Sequence, residues 1–271
     1  MKTLYLSDLD GTLLRSDERV SEYTANIINR FVRDGGCFSY ATARSIVTAS
    51  KVTAGLNLRL PVICHNGAFI IENGTNKILL SNYFTKEETA VIQDTLAQYH
   101  VYPVVFAYID GVEKFSYIKQ CVTPAARYFL DKRIGDPRRR EVSAIDELYF
   151  GDVHYIACTA YTDSEETLAQ INDIFKTDDR FNCIYAKDIY SGYHSCELLS
   201  KSASKANAAL QLKAALRCDK LVVFGDNLND MSMFAAADES CAVANAVPEL
   251  KEIATAVIDY NEIVKKSSSE N

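Results

Sequence analysis

The chain has 271 residues, a length that fits one large domain or two domains of moderate size. Hydrophobic residues make up 48% of the sequence and charged residues 24%, which excludes a largely disordered chain. The net charge is −7, and no basic run is longer than the three arginines at 138–140, so nucleic acid is disfavoured as a partner.

The N-terminal apolar segment is broken by Asp8 and predicts neither a signal peptide nor a membrane span. The eight cysteines form no Cys-x-x-Cys pair, so no zinc or redox motif is predicted. We therefore expect a cytoplasmic protein in a reducing setting, without a membrane partner. The sequence carries no sign of the oligomeric state.

The first part of the chain alternates between predicted strands and helices. An apolar strand at 3–7 runs into an acidic turn, and a helix at 21–34 begins at the N-cap candidate Ser21. Further strands are predicted at 37–40 and 60–64. This alternation is typical of β-α-β units, and it predicts an α/β fold with a Rossmann-like parallel sheet.

From residue 69 the pattern changes to hairpins and helices. The Asn73-Gly74 pair predicts a tight turn between two antiparallel strands. The arginines at 138–140 are expected in a solvated loop. Strand-like runs lie at 101–109, 114–118, 153–160 and 181–186, and helix-like runs at 86–98, 124–132 and 164–175. We expect an inserted α+β domain at 83–190 between two halves of the core, 1–82 and 191–271.

The last part returns to the first pattern. A helix is predicted at 205–216, and a compact apolar strand at 220–224 ends in a second acidic loop. A short helix at 231–237, a strand at 240–243 and a helix at 247–254 complete the predicted core. The two acidic loops would thus follow two strands of the same sheet.

Polar side chains follow three strands of that predicted sheet. They are Asp8 and Asp10 after the first strand, Thr42 after the second, and Asp226, Asn229 and Asp230 after the strand at 220–224. Because the carboxyl ends of parallel strands open at one edge, we expect these side chains to lie close together. Acidic residues are also common in turns, so Asp-x-Asp alone would not carry this interpretation.

The chemistry of the set indicates a phosphoryl-transfer site. Carboxylate oxygens are the ligands that Mg²⁺ prefers, usually together with water and a substrate phosphate. An aspartate can also accept a phosphoryl group directly and form an acyl phosphate that water later hydrolyses. Such transfer requires cations and hydrogen-bond donors on the phosphoryl oxygens.

Four segments resemble the motifs of the haloacid dehalogenase-like hydrolases, in the same order. They are DLDGTLL at 8–14, ATAR at 41–44, Lys205 in SKANAAL, and GDNLND at 225–230. The place and size of the insertion resemble the Cof-type, sugar-phosphate phosphatase branch, which carries a substrate-selecting α/β cap there. The resemblance departs from the family at Ala43 and Ala206, where glycine is common.

The resemblance implies a role for each matching residue. Asp8 would be the nucleophile that becomes aspartyl phosphate, and Asp10 the acid and base. Thr42 would hold a phosphate oxygen, and Lys205 would pair with Asp8 and the phosphoryl group. The magnesium ion would be held by Asp226, the Asp8 side chain and the main-chain carbonyl of Asp10, and this shell would be completed or supported by Asn229 and Asp230.

Arg44 and Asn66 have two interpretations each, and the lysine motif has two candidate residues. Arg44 and Asn66 would contact substrate by the resemblance, but they also fit a surface arginine and a turn asparagine. Lys201 competes with Lys205 for the lysine motif, and Lys205 is favoured because it opens an amphipathic helix.

The expected activity is Mg-dependent hydrolysis of small phosphomonoesters, such as a sugar phosphate or a related metabolite. A phosphomutase would use the same aspartate and is the alternative enzyme class. A phosphorylatable binding module without turnover is a non-enzymatic alternative, and it would leave Asp10 and the long insertion without a purpose.

Overall fold

The computed structural model describes residues 1–159, 165–187 and 192–259. The strands are β1 Thr3–Ser7, β2 Cys37–Tyr40, β3 Val62–Cys64, β4 Phe69–Ile71, β5 Ile78–Ser81, β6 Val104–Ile109, β7 Val112–Ile118, β8 Arg139–Val142, β9 Val153–Thr159, β10 Phe181–Lys187, β11 His194–Ser200, β12 Lys220–Gly225, β13 Glu239–Val243 and β14 Ala256–Ile258. The α-helices are α1 Glu22–Arg33, α2 Ile46–Val52, α3 Lys86–Gln98, α4 Pro124–Asp131, α5 Glu165–Lys176, α6 Lys205–Ala215, α7 Met231–Ala236 and α8 Pro248–Ile253.

The chain divides into two compact units. The first unit joins Met1–Ser81 to Ala203–Asn271, and the second unit is the intervening segment Asn82–Ser202. The first predicted boundary, between residues 82 and 83, lies one residue from this division. The second predicted boundary, between residues 190 and 191, falls outside the described residues.

The first unit is built on a parallel sheet with the strand order β14-β13-β12-β1-β2. Each neighbouring pair in this sheet is parallel, so the carboxyl ends of β1, β2 and β12 share one edge. The predicted Rossmann-like parallel core is therefore confirmed. The edge strand β14 is exposed and was not predicted, because three residues carry too little pattern.

Apolar residues of the sheet and of α6 form the core of the first unit. Leu4 and Leu6 of β1 and Leu221 and Val223 of β12 are fully buried, and they belong to one cluster with Leu212 of α6. Burial of each such side chain contributes about 1.5–3 kcal/mol. Both central strands are therefore fixed by packing up to the residues where the acidic loops begin.

A separate antiparallel sheet completes the first unit. It consists of β3, β4 and β5, and an isolated bridge between Ala41 and Ile63 links β3 to the end of β2. The prediction of antiparallel strands around Asn73-Gly74 is confirmed, because β4 pairs with β5 and Gly74 has a φ of +91°. The predicted third strand, β3, is parallel to the end of β2 at this bridge and also pairs with β4 in antiparallel fashion.

The second unit contains a mixed sheet with the order β10-β11-β9-β6-β7-β8. Apolar side chains of α3 and α5, including Ile92, Leu168 and Phe175, lie in one buried cluster with Ile156 of β9. A capping box at Thr85 and Glu88 starts α3. The α+β character of this segment agrees with the predicted mixture of strands and helices.

Two expectations for the second unit were wrong. The arginines at 138–140 do not form a solvated loop: Arg138 is buried, and Arg139–Val142 is a strand parallel to β7. The prediction failed because an ion pair with Glu113 compensates the burial of Arg138. Residues 194–200, which were assigned to the core, form β11 between β9 and β10. The predicted end of the strand at 160 and the start of the helix at 164 lie outside the described residues.

None of the helices in the described part of the chain has the length and apolarity needed to cross a membrane.

Candidate active site

The loop after β1 is held close to the loop after β12. The amide of Asp8 donates to the carbonyl of Phe224 at 2.9 Å, so pairing of the two strands continues to the first acidic residue. Gly11 has a φ of +80°, and a Cβ at this position would lie 2.7 Å from the Asp226 carboxyl carbon. Glycine is thus required here both by the backbone conformation and by the approach of Asp226.

Three further contacts fix this junction. The Thr12 hydroxyl donates to Asp226 Oδ1 at 2.9 Å, and the Asn245 side-chain amide donates to the carbonyl of Gly11 at 2.8 Å. The amide of Val247 donates to the carbonyl of Asp226, also at 2.9 Å. A hydrogen bond between the two loops and hydrogen bonds from residues 245–247 to each of them therefore hold the loops together.

Lys205 is buried between two carboxylates. It is the first residue of α6, whose N-cap Ser204 accepts from the amide of Asn207 at 3.1 Å. Lys205 Nζ lies 2.5 Å from Asp8 Oδ1 and 2.7 Å from Asp230 Oδ1. Lys201, the alternative lysine, is exposed and belongs to the second unit.

Asp230 also ties down the loop after β12. Its Oδ2 accepts from the backbone amides of Asp226 at 3.1 Å and of Asn227 at 3.3 Å, while Oδ1 binds Lys205. A carboxylate with these donors is held in one orientation although it is fully buried. Asp230 therefore orients the loop that carries Asp226.

The cluster contains more negative than positive charge. One carboxylate oxygen from each of Asp8, Asp226 and Asp230 lies within 4.8 Å of the others, and Lys205 is the cation bound to this group. Burial raises the pKa of Asp8 well above its usual value, with Lys205 opposing the shift. Burial and the charge of Asp230 raise the pKa of Asp226 to about 7.

The charge of Lys205 is maintained by its neighbours. Burial alone would lower its pKa, but the carboxylates of Asp230 and Asp8 raise the pKa of Lys205 above its usual value. One ammonium group facing three buried carboxylates leaves a surplus of oxygen ligands. The cluster therefore fits a divalent cation, which prefers such oxygens and would offset their mutual repulsion.

Thr42, Asn66 and Asn229 form a second part of the same edge. Thr42 is fully buried, and its carbonyl accepts from the amide of Asn66 at 2.9 Å. The side-chain amide of Asn229 donates to Asn66 Oδ1 at 3.3 Å. Asn66 Nδ2 is buried without a hydrogen-bond partner among the described residues, given this amide orientation.

Arg44 and Asp10 face each other. Two nitrogens of the Arg44 guanidinium donate to the two oxygens of Asp10, and the same guanidinium contacts Glu18. The backbone amide of Arg44 donates to Thr42 Oγ1 at 3.1 Å. The Asp10 carboxylate thus binds Arg44, and it is not one of the three carboxylates, Asp8, Asp226 and Asp230, that lie within 4.8 Å of one another.

The structure brings all nine residues of the sequence-predicted site into the first unit. Sequence reasoning missed Glu18 and Asn245, which contact Arg44 and Gly11. Glu18 lies in a polar segment and Asn245 in an apolar one, and neither belongs to one of the four motifs, so their partners become visible only in the folded chain.

Comparisons with known proteins agree with this arrangement. Residues 5–264 match the family model described as haloacid dehalogenase-like hydrolase. The Phosphatase YwpJ of Bacillus subtilis is 28% identical over 290 residues, covering 94% of each chain. The 5-amino-6-(5-phospho-D-ribitylamino)uracil phosphatase YitU of the same organism is 25% identical over 260 residues, covering 94% of this chain and 91% of its own. The HMP-PP phosphatase of Klebsiella pneumoniae is 24% identical over 256 residues, covering 93% and 87%.

Solved structures share the fold. A haloacid dehalogenase-like hydrolase from B. subtilis superposes with a TM-score of 0.78 at 24% identity, covering 97% of this chain and 96% of its own. The protein TM0651 from Thermotoga maritima gives a TM-score of 0.75 at 23% identity, with coverages of 96% and 93%. At these identities the likeness concerns the fold.

Proposed function

The chain belongs to the haloacid dehalogenase-like hydrolases, and from this premise we propose that it is a magnesium-dependent phosphatase that hydrolyses small phosphomonoesters through an aspartyl phosphate on Asp8. That it is a phosphatase follows from its family and from relatives that are named phosphatases. The metal, the intermediate and the substrate class are our proposal. The observation that carries it is the buried contact of Lys205 with Asp8 and Asp230, beside Asp226.

The first transfer starts at Asp8. One carboxylate oxygen of Asp8 attacks the phosphorus atom, the bond to the ester oxygen breaks, and the leaving alkoxide takes a proton from Asp10. Lys205 supplies positive charge beside Asp8, where the phosphoryl oxygens become more negative. This step leaves an acyl phosphate on Asp8 and a free alcohol.

The second step regenerates the enzyme. Asp10, now ionised, takes a proton from a water molecule as its oxygen attacks the phosphorus atom, and the bond to Asp8 breaks. Inorganic phosphate leaves, and both aspartates return to their starting states. A reducible cofactor is not needed, because no electron transfer occurs in either step.

The metal would be Mg²⁺ and would be held by the side chains of Asp8 and Asp226 and the main-chain carbonyl of Asp10. When bound, it lowers the charge repulsion between the substrate phosphate and the carboxylates. Asp230 would keep Asp226 and Lys205 in place, in line with its hydrogen bonds to both. Asn229 would support this shell through its contact with Asn66.

The remaining predicted residues would contact the substrate. Asn66 Nδ2 is a buried donor without a partner among the described residues, and a phosphate oxygen would satisfy it. Thr42 would offer its hydroxyl to the same group, and Arg44 remains a predicted substrate contact. We further propose that the intervening segment, predicted at 83–190, is a cap that selects the substrate.

The substrate class is a small phosphorylated metabolite, such as a sugar phosphate. The relatives are named for different compounds, a phosphoribitylaminouracil and HMP-PP, so no single compound is carried over to this chain. A cytoplasmic location stays a prediction from the N-terminal segment and from the spacing of the cysteines.

The test is phosphate release from a broad panel of sugar phosphates, nucleotides and cofactor phosphates. We expect release from some members with Mg²⁺ and its loss in EDTA, with activity restored by added Mg²⁺. The absence of phosphate release across the panel with Mg²⁺ present would contradict the proposal. Isomerised sugar phosphate without free phosphate would instead indicate a phosphomutase.

A further inference from the structure

Arg44 connects Asp10 to a residue outside the four motifs, Glu18. Arg44 Nε lies 2.8 Å from Asp10 Oδ2, and Nη2 lies 2.5 Å from Asp10 Oδ1. The same Nη2 lies 2.8 Å from Glu18 Oε2. One guanidinium nitrogen is thus shared between two carboxylates, and both oxygens of Asp10 bind one arginine.

This geometry has a consequence for the proposed chemistry. An acid and base must direct an oxygen to the ester oxygen and later to the attacking water. Both oxygens of Asp10 are engaged by Arg44, so Asp10 has to turn away from Arg44 before it can act. In this arrangement the Asp10 carboxylate is in a resting position.

The release of Asp10 would be costly if Arg44 had no other partner. The Arg44 side chain is only 18% exposed, and a guanidinium that is largely removed from water is destabilised when its carboxylate leaves. Glu18, with 40% of its side chain exposed, already holds Nη2. Arg44 therefore keeps one charged partner when Asp10 turns.

The backbone supports this position of Glu18. Glu18 has a φ of +56°, a left-handed conformation that is strained for a residue other than glycine. A tight turn maintains it: the amide of Glu18 donates to the carbonyl of Arg15, and the amide of Arg15 donates to the carbonyl of Arg19, both at 2.9 Å. The strained residue is the one whose side chain reaches Arg44.

We propose that Glu18 is a positioning residue for the acid and base step, because it holds Arg44 while Asp10 turns from Arg44 to the reacting oxygen. The inference rests on the proposed phosphatase mechanism. It concerns Glu18, which no motif of the family includes.

The first test compares Glu18→Gln with Asp17→Asn. The control variant, Asp17→Asn, removes one charge from the same turn. The side-chain amide oxygen that this substitution introduces can still accept from the backbone amide of Arg19, as the Asp17 carboxylate does. With an alkyl phosphate, Glu18→Gln lowers kcat by about tenfold to a hundredfold, a part of the 10²–10⁴ that acid–base catalysis contributes. KM stays within about twofold, because the phosphate contacts are unchanged. Asp17→Asn behaves as the wild type.

A substrate with an acidic leaving group separates the two steps. p-Nitrophenolate departs without a proton, so the pre-steady-state burst from p-nitrophenyl phosphate keeps its wild-type rate in Glu18→Gln while steady-state turnover falls. Equal losses in both phases, or no loss in either, would overturn the role of Glu18 and leave the phosphatase proposal intact. A wild-type protein without any phosphate release would instead refute the phosphatase proposal.

A double variant tests the link through Arg44. Glu18→Gln/Arg44→Met removes the guanidinium of Arg44 from Asp10, so kcat at saturating substrate is several-fold higher than in Glu18→Gln. A double variant that is no faster than the single one would contradict the inference.

Structures with bound orthovanadate, a mimic of the transferred phosphoryl group, provide a readout besides turnover. The wild type is expected to show Asp10 turned to the vanadate and Arg44 bound to Glu18, whereas Asp10 stays on Arg44 in Glu18→Gln. A wild-type vanadate complex with both Asp10 oxygens still on Arg44 would overturn the proposal.

Discussion

The two compact units each bury a network of charged side chains, and the two networks differ in how their charges are matched. In the first unit, Lys205 contacts the carboxylates of Asp8 and Asp230, and the carboxylate of Asp226 lies beside them. In the second unit, Arg138 donates through Nη1 to Glu113 at 2.8 Å and through Nε and Nη2 to Asp136 at 3.0 and 2.7 Å. In the arginine network, formed by Arg138, Glu113 and Asp136, every guanidinium nitrogen donates to a carboxylate. In the lysine network, formed by Lys205, Asp8, Asp226 and Asp230, the carboxylate acceptors outnumber the donors.

This difference separates a structural network from a reactive one. Hydrogen bonds to Asp136 and Glu113 raise the pKa of Arg138 against the effect of burial, as expected for a satisfied ion pair. In the lysine network, burial raises the pKa of Asp8 and of Asp226, so their charged forms are held at a cost. Carboxylates held in this way are typical of sites that bind a cation or take part in chemistry.

The largest expected effect is that of Asp8→Asn, which removes the nucleophile and keeps the shape of the side chain. We expect kcat to fall by on the order of 10⁴-fold or more, because no other residue accepts the phosphoryl group. The covalent phosphate, trapped by rapid quenching of the wild type, should be absent from the variant. Circular dichroism shows whether the variant is folded. Near-normal turnover of a folded Asp8→Asn protein would refute the mechanism.

Loss of an ion pair in the arginine network should lower the free energy of unfolding and leave kcat unchanged. Arg138→Met leaves Glu113 and Asp136 without their guanidinium, and loss of one partner of a buried ion pair costs about 3–5 kcal/mol. Urea unfolding measures this loss, and kcat below the melting transition should change little.

Arg180 offers a matched control for Arg138. It binds Asp178, two residues before it, through its backbone amide, Nε and Nη2, as Arg138 binds Asp136. The Arg180 side chain is 48% exposed, so Arg180→Met should cost no more than about 1 kcal/mol. Equal costs for the two variants would mean that burial does not distinguish the networks.

The lysine network predicts a pH dependence of stability in EDTA. The pKa of Asp226 is about 7 in the folded chain and about 3.9 in an unfolded one. Between these values the folded state binds more protons, so its stability falls as the pH rises from about 4 to about 7, by up to about 4 kcal/mol. Saturating Mg²⁺ should remove most of this decline, because a bound cation favours the ionised carboxylates.

Two variants identify the group responsible for the decline. Asp226→Asn should make the decline in EDTA smaller and leave the part due to Asp8, because burial also raises the pKa of Asp8. Asp238→Asn should retain the full decline, because the hydrogen bond from Lys213 lowers the pKa of the exposed Asp238. Urea unfolding at each pH measures the profile. Stability that rises with pH in EDTA would contradict the assignment of Asp226.

The sequence was sufficient for those features that local pattern determines. The apolar run before Asp8 and the one before Asp226 predicted two strands of one sheet, and parallel pairing brought both loops to one edge. Lys205 could be chosen over Lys201 because it was expected to begin a helix, and the structure confirms that Lys205 begins α6 and is buried. These predictions depended on periodicity and on residue types at strand ends.

Features that depend on a distant partner were not predictable. From the sequence alone Arg138 is typical of a solvated loop, because its ion-pair partner Glu113 is identified only in the folded chain. In the same way, β11 is identified as part of the second sheet only by its pairing with β9 and β10. Glu18 carries no signal in the turn that contains it, because its partner Arg44 is 26 residues away. Such contacts depend on tertiary structure, which a single sequence does not specify residue by residue.

The smallest expected effect concerns the glycine turn after Asp8. Gly11 and Gly74 both have left-handed backbones, with φ of +80° and +91°, so alanine strains each by about 1–2 kcal/mol. A Cβ on Gly74 would meet no atom within 4 Å, whereas one on Gly11 would lie 2.7 Å from the Asp226 carboxyl carbon. The two substitutions therefore differ mainly in whether Asp226 must move.

Gly11→Ala should weaken Mg²⁺ binding at least about tenfold, equivalent to about 1.4 kcal/mol, because a displaced Asp226 no longer completes the ligand group. Gly74→Ala should lose similar stability and bind Mg²⁺ as the wild type does. Isothermal titration calorimetry measures both affinities without turnover. Equal affinities in the two variants would show that the position of Asp226 does not limit metal binding, and the surplus of carboxylates in the lysine network would then need another explanation.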